Sequence, residues 1–383
     1  MTLGEKVKII NARVYSDNFS FEKQDLFVKG ELLSSPFSTD CIFDAQNLYA
    51  IPSLVDIHFH GAVGHDFMDG DYNGLKAISI YEASAGVGTI IPATMTMSEE
   101  VIFKALKNAS AFKAPLNGAD LEGIYLEGPF ISSNKAGAQN PQYVRKADLD
   151  FFLKLQKQAH DLIKVLVIAP ETENACEFIK KVSAKVKVAL GHTSCDYAKA
   201  CEAIACGACE LTHLYNAMNP LLHRSPGPIA AAALNENVKA ELICDGIHVH
   251  EAMVKFAFKL FSKERIIMIS DSMMAAGLSD GEYSLGGQKV RVCGKKATLE
   301  DGTLAGSVCN LFLMLKNAVS MGVPFEDAVR ACTYNPALNV GILDKVGILK
   351  EGRRANILFL DDSLNLKGIL HHGRWLKNLI YRS

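Results

Sequence analysis

Four histidines and two carboxylates stand in this chain where each could reach a shared cation. His58 and His60 lie two residues apart in Val55-Asp-Ile-His-Phe-His-Gly61. Read as a β-strand, that stretch sets Asp56, His58 and His60 on one face and Val55, Ile57 and Phe59 on the other. Neighbouring imidazoles on one strand face can grip a single ion, and neutral imidazole suits zinc and other borderline metals. Taken alone, the stretch would also fit, less well, two core histidines bonded to backbone carbonyls. The rest of the chain supplies more ligand types. Glu127 closes the apolar run Leu121–Glu127, His192 closes Val186–His192, His213 lies near the end of Glu210–Leu214, and Asp271 ends Arg265–Asp271. This donor set suits two cations with a carboxylate between them. Two metals about 3.5–4 Å apart share a water, lower its pKa and polarise the bond under attack. Asp271 is then the group best placed to take the water's proton and return it to a leaving amine. It could also cap a helix starting at Ser272, and the two roles are compatible.

Strands must carry these side chains to one place. Apolar runs at Leu54–His60, Thr89–Thr94, Leu121–Glu127, Ile163–Ala169, Val186–His192, Glu210–Leu214, Ala240–Asp245 and Arg265–Asp271 alternate with amphipathic stretches. Strands alternating with helices imply parallel pairing, and eight such units imply a closed (β/α)8 TIM-like barrel, whose chemistry sits at the strands' C-terminal ends. One helix can be examined closely: Thr193–Cys206, with Thr193 or Ser194 as cap, Asp196 in the first turn and an apolar stripe of Tyr197, Cys201, Ile204 and Ala205. Gly281–Thr303 reads as turn-rich β-structure, and Val308–Val319 and Phe325–Cys332 as closing helices. Short strands are expected at both ends: Lys6–Tyr15, Gln24–Lys29 and Cys41–Ala50 at one, Ala355–Leu360 and Leu366–Leu370 at the other. The expected organisation is therefore a small β-sandwich built from residues 1–51 and 344–383 beside a barrel spanning 52–343.

Bulk properties narrow the function. A chain of 383 residues, 49% hydrophobic and 21% charged, is ordinary for a globular protein. A net charge of −2 leaves no basic footprint for nucleic acid. No apolar run is long enough to span a membrane, and Met1–Asn11 lacks the apolar core of an export signal, so a cytoplasmic location is expected. The ten cysteines are expected to be reduced and to act as small core residues, Cys206-Gly-Ala-Cys209 included.

Longer strings sharpen the reading. Asp56-Ile-His-Phe-His-Gly61, Leu126-Glu-Gly-Pro-Phe130, Gly191-His-Thr193, Thr212-His-Leu-Tyr-Asn-Ala-Met218, His223-Arg-Ser-Pro-Gly227, Asp245-Gly-Ile-His248 and Ser270-Asp-Ser-Met-Met-Ala-Ala-Gly277 stand in that order. So do Leu304-Ala-Gly-Ser307 and Asn335-Pro-Ala337. The chain resembles the amidohydrolase superfamily, and within it the N-acetylglucosamine-6-phosphate deacetylases. That resemblance implies metal-dependent release of acetate from a 6-phosphorylated amino sugar, in a homodimer. It implies Glu127, His192 and His213 as core metal ligands, a second metal held by His58, His60 and the bridging Glu127, and Asp271 as acid/base. Asn216, the Ala217 backbone N–H, Arg224 and His248 would hold sugar and phosphate, with Ala138 and Gln139 also at the substrate. An arginine fork suits phosphate oxygens, and Zn, Fe, Mn or Co would all tolerate such N/O ligands.

Some positions depart from the family. Where Gln139 stands, some members carry a histidine that polarises the acetyl carbonyl; Gln139 can donate a hydrogen bond but brings no charge. Pro52-Ser53 and Ala355-Asn356 replace commoner Pro-Gly and Ala-Asp pairs. Relatives of the dihydroorotase or hydantoinase type bridge their metals with a carbamylated lysine ending the fourth strand, yet Lys164 begins that strand here. A deacetylase for the galactosamine epimer fits the same motifs. A non-catalytic scaffold would have lost ligands, and none is lost.

Overall fold

In a computed structural model, residues 6–378 are described, and the expectations for residues 1–5 and 379–383 lie outside them. Among the described residues, and besides the short Asp120–Leu121 that pairs parallel to Val87–Ile90, eight parallel strands follow one another along the chain: Leu54–Asp56, Val87–Ile90, Ile124–Leu126, Ile163–Ile168, Lys187–Leu190, Glu210–Leu211, Lys239–Ile243 and Ile266–Ile269. The first pairs the second, and from the third onward each pairs the next. A parallel bridge, Ala93 with Tyr125, joins the two sets. The curled sheets bring the segments that follow the first and last strands together: the Asp271 N–H donates to His58 O at 2.9 Å and the His60 N–H to Ser272 O at 2.7 Å. Near-continuous Val, Ile and Leu fill these strands because both of their faces are buried.

The strands are shorter than the apolar runs suggest. The runs expected to end at His60, His192, Leu214 and Asp271 leave the sheet at Asp56, Leu190, Leu211 and Ile269. The residues beyond are still buried, but the backbone turns: φ is 45° at His192, 28° at His213 and 47° at Asp271. L-residues rarely adopt such values, and each costs on the order of 1–3 kcal/mol, so the surrounding packing must hold them. The run Leu121–Glu127 divides into Asp120–Leu121 and Ile124–Leu126, and Cys41–Ala50 into Ile42–Asp44 and Tyr49–Pro52.

The helix expected from Thr193 runs over Tyr197–Ala205, and its cap is Asp196, whose carboxylate accepts from the Lys199 N–H at 2.8 Å. Thr193 and Ser194 lie ahead of the cap and donate their hydroxyls to Glu171. Its buried face is Ala200 and Ala203, whereas Tyr197 is exposed. Small residues let it lie close to the alanine-rich helix Gly227–Ala233, which overrides the bulkier stripe. Cys176 and Cys206, expected to be reduced, form a disulfide joining helix Ala175–Val182 to the end of this helix, with Cα atoms 5.6 Å apart. Cys209 is free.

The chain ends do pair. Tyr49–Pro52 is antiparallel to Ile357–Leu360 and parallel to Lys6–Tyr15, within one eight-stranded sheet that curls around its own core of Val7, Ile9, Phe43, Phe359 and Leu370. Gly281–Leu285, Gln288–Cys293 and Lys296–Thr298 form the expected β-excursion, and Leu311–Ser320 and Phe325–Cys332 the closing helices.

One buried group is an energetic liability. Glu82, on helix Tyr72–Ser84, is fully buried, and neither carboxylate oxygen has a hydrogen-bond partner among the described residues. Burial, reinforced by nearby Asp56, pushes its pKa well above 4.5. The native state thus keeps a proton that the unfolded chain releases above about pH 4.5. Stability is greatest below that pH and falls by on the order of 1 kcal/mol per pH unit until the native pKa is reached. Glu82→Gln removes this dependence, so its melting temperature should gain on the parent's between pH 6 and pH 8. A difference that stays constant across that range would refute the assignment.

Candidate active site

The turned backbone after each strand aims its side chain at one point on the rim. Glu127 follows Ile124–Leu126, and Gly128 beside it permits close packing: a Cβ there would lie 2.0 Å from Thr96 Oγ1. Glu127 Oε1 approaches His192 Nε2 at 3.0 Å, His213 Nε2 at 3.2 Å and His58 Nε2 at 3.4 Å, while Oε2 lies 3.3 Å from His60 Nε2. Asp271 Oδ1 is 3.2 Å from His60 Nε2 and 3.8 Å from His58 Nε2. Two ligand triads result, Glu127 with His192 and His213, and Asp271 with His58 and His60, and Glu127 faces both.

These rings are arranged for cations. His192 Nδ1 faces Lys135 O at 2.9 Å, His213 Nδ1 faces Asn216 O at 3.2 Å, and His58 Nδ1 faces Glu241 Oε2 at 2.9 Å. Each partner accepts, so each Nδ1 carries hydrogen and each ring turns its Nε2 inward, the atom that would bind a metal in exchange for a proton. Yet His192 Nε2 and His213 Nε2 lie 3.1 Å apart, and His58 Nε2 has no hydrogen-bond partner among the described residues. Converging Nε2 atoms around a carboxylate are held together by protons or by a cation among them. The donor set therefore fits one or two divalent ions with N/O preference.

The electrostatics agree. Burial alone would raise the Glu127 carboxyl, but the charges of His58 and His192 and hydrogen bonds from His192 and His213 hold it well below its ordinary value. Burial likewise opposes ionisation of Asp271, and His60 and His58 overcome it and lower its pKa. Against its own desolvation, His60 is raised to about 9 by the hydrogen bonds of Asp271 and Glu127. Both carboxylates are thus held ionised, as ligands and a general base must be.

A cavity of ≈ 240 Å³ opens over the cluster. Of the residues expected at the site, His60, Glu127, Ala138, Gln139, His192, His213, Asn216, Ala217, His248 and Asp271 line it. His58 does not; it forms the buried floor, stacked on Tyr125. Arg224 is exposed and outside the lining. Asp245 orients His248, accepting from its backbone N–H at 2.8 Å and facing its Nδ1 at 2.7 Å. Desolvation would lower the His248 pKa, but the Asp245 hydrogen bond raises it. His250 is structural: it caps helix Glu251–Arg265 by accepting from the Ala252 N–H.

Gln139 is engaged differently from the expectation. Its Oε1 accepts from the Thr96 N–H at 2.6 Å, and its Nε2 donates to Glu127 Oε2 at 2.6 Å, so both ends of the amide are committed to the protein. Sequence reasoning also missed Glu241, whose signal is an acid set in the apolar strand Lys239–Ile243.

The model of the amidohydrolase family matches residues 49–378. The N-acetylglucosamine-6-phosphate deacetylase of Bacillus subtilis is 37% identical, over 87% of this chain and 85% of its own. The N-acetylgalactosamine-6-phosphate deacetylase of Escherichia coli O157:H7 is 34% identical, covering 84% and 86%. The crystal structure of N-acetylglucosamine-6-phosphate deacetylase from Pasteurella multocida superposes with a TM-score of 0.90 at 26% identity, covering 98% of this chain and all of that one. With its ligand triads in place at the rim of a parallel sheet, this chain belongs to the amidohydrolase family, in the branch that holds the N-acetylglucosamine-6-phosphate deacetylases.

Proposed function

We propose that the chain hydrolyses the acetamide of N-acetylglucosamine 6-phosphate, releasing acetate and glucosamine 6-phosphate. The observation that carries this reading is the meeting of two ligand triads through Glu127 beneath a cavity that Asp271 and His248 also line. Glu127, His192 and His213 would hold one divalent ion, and His58, His60 and Glu127 a second, whether Zn, Fe, Mn or Co. When bound, such ions supply Lewis acidity to the acetyl carbonyl and lower the pKa of water.

Asp271 accepts the attacking water's proton at its carboxylate and delivers it to the departing nitrogen. Asn216, the Ala217 N–H and Ala138 border the sugar, and His248 faces the phosphate. Gln139, bonded to Glu127, acts on the carboxylate rather than as a free donor. Arg224 is the remaining phosphate ligand, carried on an exposed loop. We read the curled sheet as the family's (β/α)8 barrel over residues 52–343 and the ends, 1–51 and 344–383, as a β-sandwich. On the same resemblance the enzyme is a cytoplasmic homodimer. Deacetylation of N-acetylgalactosamine 6-phosphate is the second reading, favoured by the 34% identity to the Escherichia coli relative.

Acetate release measured on both phosphorylated epimers, and on unphosphorylated N-acetylglucosamine, tests the assignment. Turnover should require the phosphate; equal hydrolysis of the unphosphorylated sugar would overturn the phosphate site. Arg224→Ala should raise KM about 10–100-fold with little change in kcat, the loss expected for one hydrogen bond to a charged group. An unchanged KM would remove Arg224 from the site.

A further inference from the structure

Glu241 lies in strand Lys239–Ile243 with no exposed surface, beneath the cluster and outside the cavity lining. A carboxylate placed there costs several kcal/mol unless donors surround it. Its Oε2 has two, and they belong to different triads: His58 Nδ1–H at 2.9 Å and the His213 backbone N–H at 3.0 Å. Behind it stands Glu210, fully buried and bonded by Asn339 Nδ2 at 2.6 Å. Burial, reinforced by Glu241, pushes the Glu210 pKa well above its ordinary value.

The dependence of the two triads on Glu241 is unequal. His192 and His213 take their ring orientation from carbonyl oxygens of Lys135 and Asn216. His58 takes its orientation from Glu241 alone: no other acceptor meets its Nδ1 among the described residues. We propose that Glu241 is a positioning residue that sets the second cation's occupancy, by fixing His58 in the tautomer that presents its Nε2 lone pair to the ion. This rests on the two-cation reading above. A carboxylate behind a ligating histidine typically contributes 10–100-fold in metal affinity.

The test is the zinc content of purified holoenzyme equilibrated in buffered Zn²⁺ of increasing concentration, read by elemental analysis. The parent should bind two ions per chain. Glu241→Gln, which keeps the shape and an acceptor but loses the charge, should weaken the second ion about 10–100-fold and leave the first unchanged. Glu241→Leu should retain a single ion. Circular dichroism and thermal unfolding establish that each variant is folded, and the isosteric Gln variant keeps the test decisive if Leu is not tolerated. Two ions of unchanged affinity in Glu241→Gln would overturn the assignment while leaving the two-cation reading intact. A parent that binds one ion would overturn the two-cation reading and the Glu241 role with it.

Discussion

Asp271→Asn should lower kcat for acetate release by about 10²–10⁴-fold, the range associated with a positioned general acid/base. The substitution preserves shape and an oxygen acceptor, so it isolates proton transfer from packing. Asp271 Oδ1 lies 3.2 Å from His60 Nε2 and at the wall of the cavity that would take the substrate. Its lowered pKa keeps it ionised in the resting enzyme, as a base must be. Its own triad includes His58 and His60, whereas Glu127, His192 and His213 do not depend on it. Elemental analysis should therefore find the ion of the Glu127 triad retained in the variant. A fall of 10³-fold corresponds to about 4 kcal/mol of barrier. Turnover near the parent's, with metal present, would exclude Asp271 from proton transfer.

What could be read from the sequence, and what could not, follows from where the information resides. That these side chains gather was legible because they stand at or near the ends of apolar runs, and strand ends are where such a fold gathers chemistry. Lys6–Tyr15 and Phe325–Cys332 have the boundaries that their patterns suggest, since local period and propensity decide them. The left-handed turns at His192, His213 and Asp271 were not legible, because non-local packing imposes them against local preference. For the same reason Glu210–Leu214 shortens to Glu210–Leu211: a strand continued through His213 could not swing that ring towards Glu127. The cap on Tyr197–Ala205 is Asp196 because Thr193 and Ser194, which donate to Glu171 22 and 23 positions away, fall before the helix begins. Gln139 and Glu241 were obscured in the same way. Their roles are defined by hydrogen bonds to residues 12 and 183 positions away, which no spacing rule encodes. Arg224 shows the converse: a strong local motif placed it, yet its loop is exposed and apart from the cavity lining.

Glu127→Ala should remove bound metal from both triads and bring acetate release to background. No other side chain at the site faces all four histidines. Its Oε1 approaches His192, His213 and His58, and its Oε2 approaches His60 while accepting from Gln139. Losing it leaves four rings with converging Nε2 atoms and a single nearby carboxylate, Asp271, on one side only. The effect should therefore exceed that of Glu241→Gln, which spares the Glu127, His192 and His213 triad. A readout independent of turnover is thermal unfolding with and without added Zn²⁺. An ion that binds only the native state stabilises it by about 3 kcal/mol at a hundred times its Kd. The parent's melting temperature should rise with Zn²⁺ and fall with chelator, whereas that of Glu127→Ala should be insensitive to both. A variant that still melts higher in Zn²⁺ by the parent's margin would show that the histidines hold the ion without Glu127, and the bridging role would have to be abandoned.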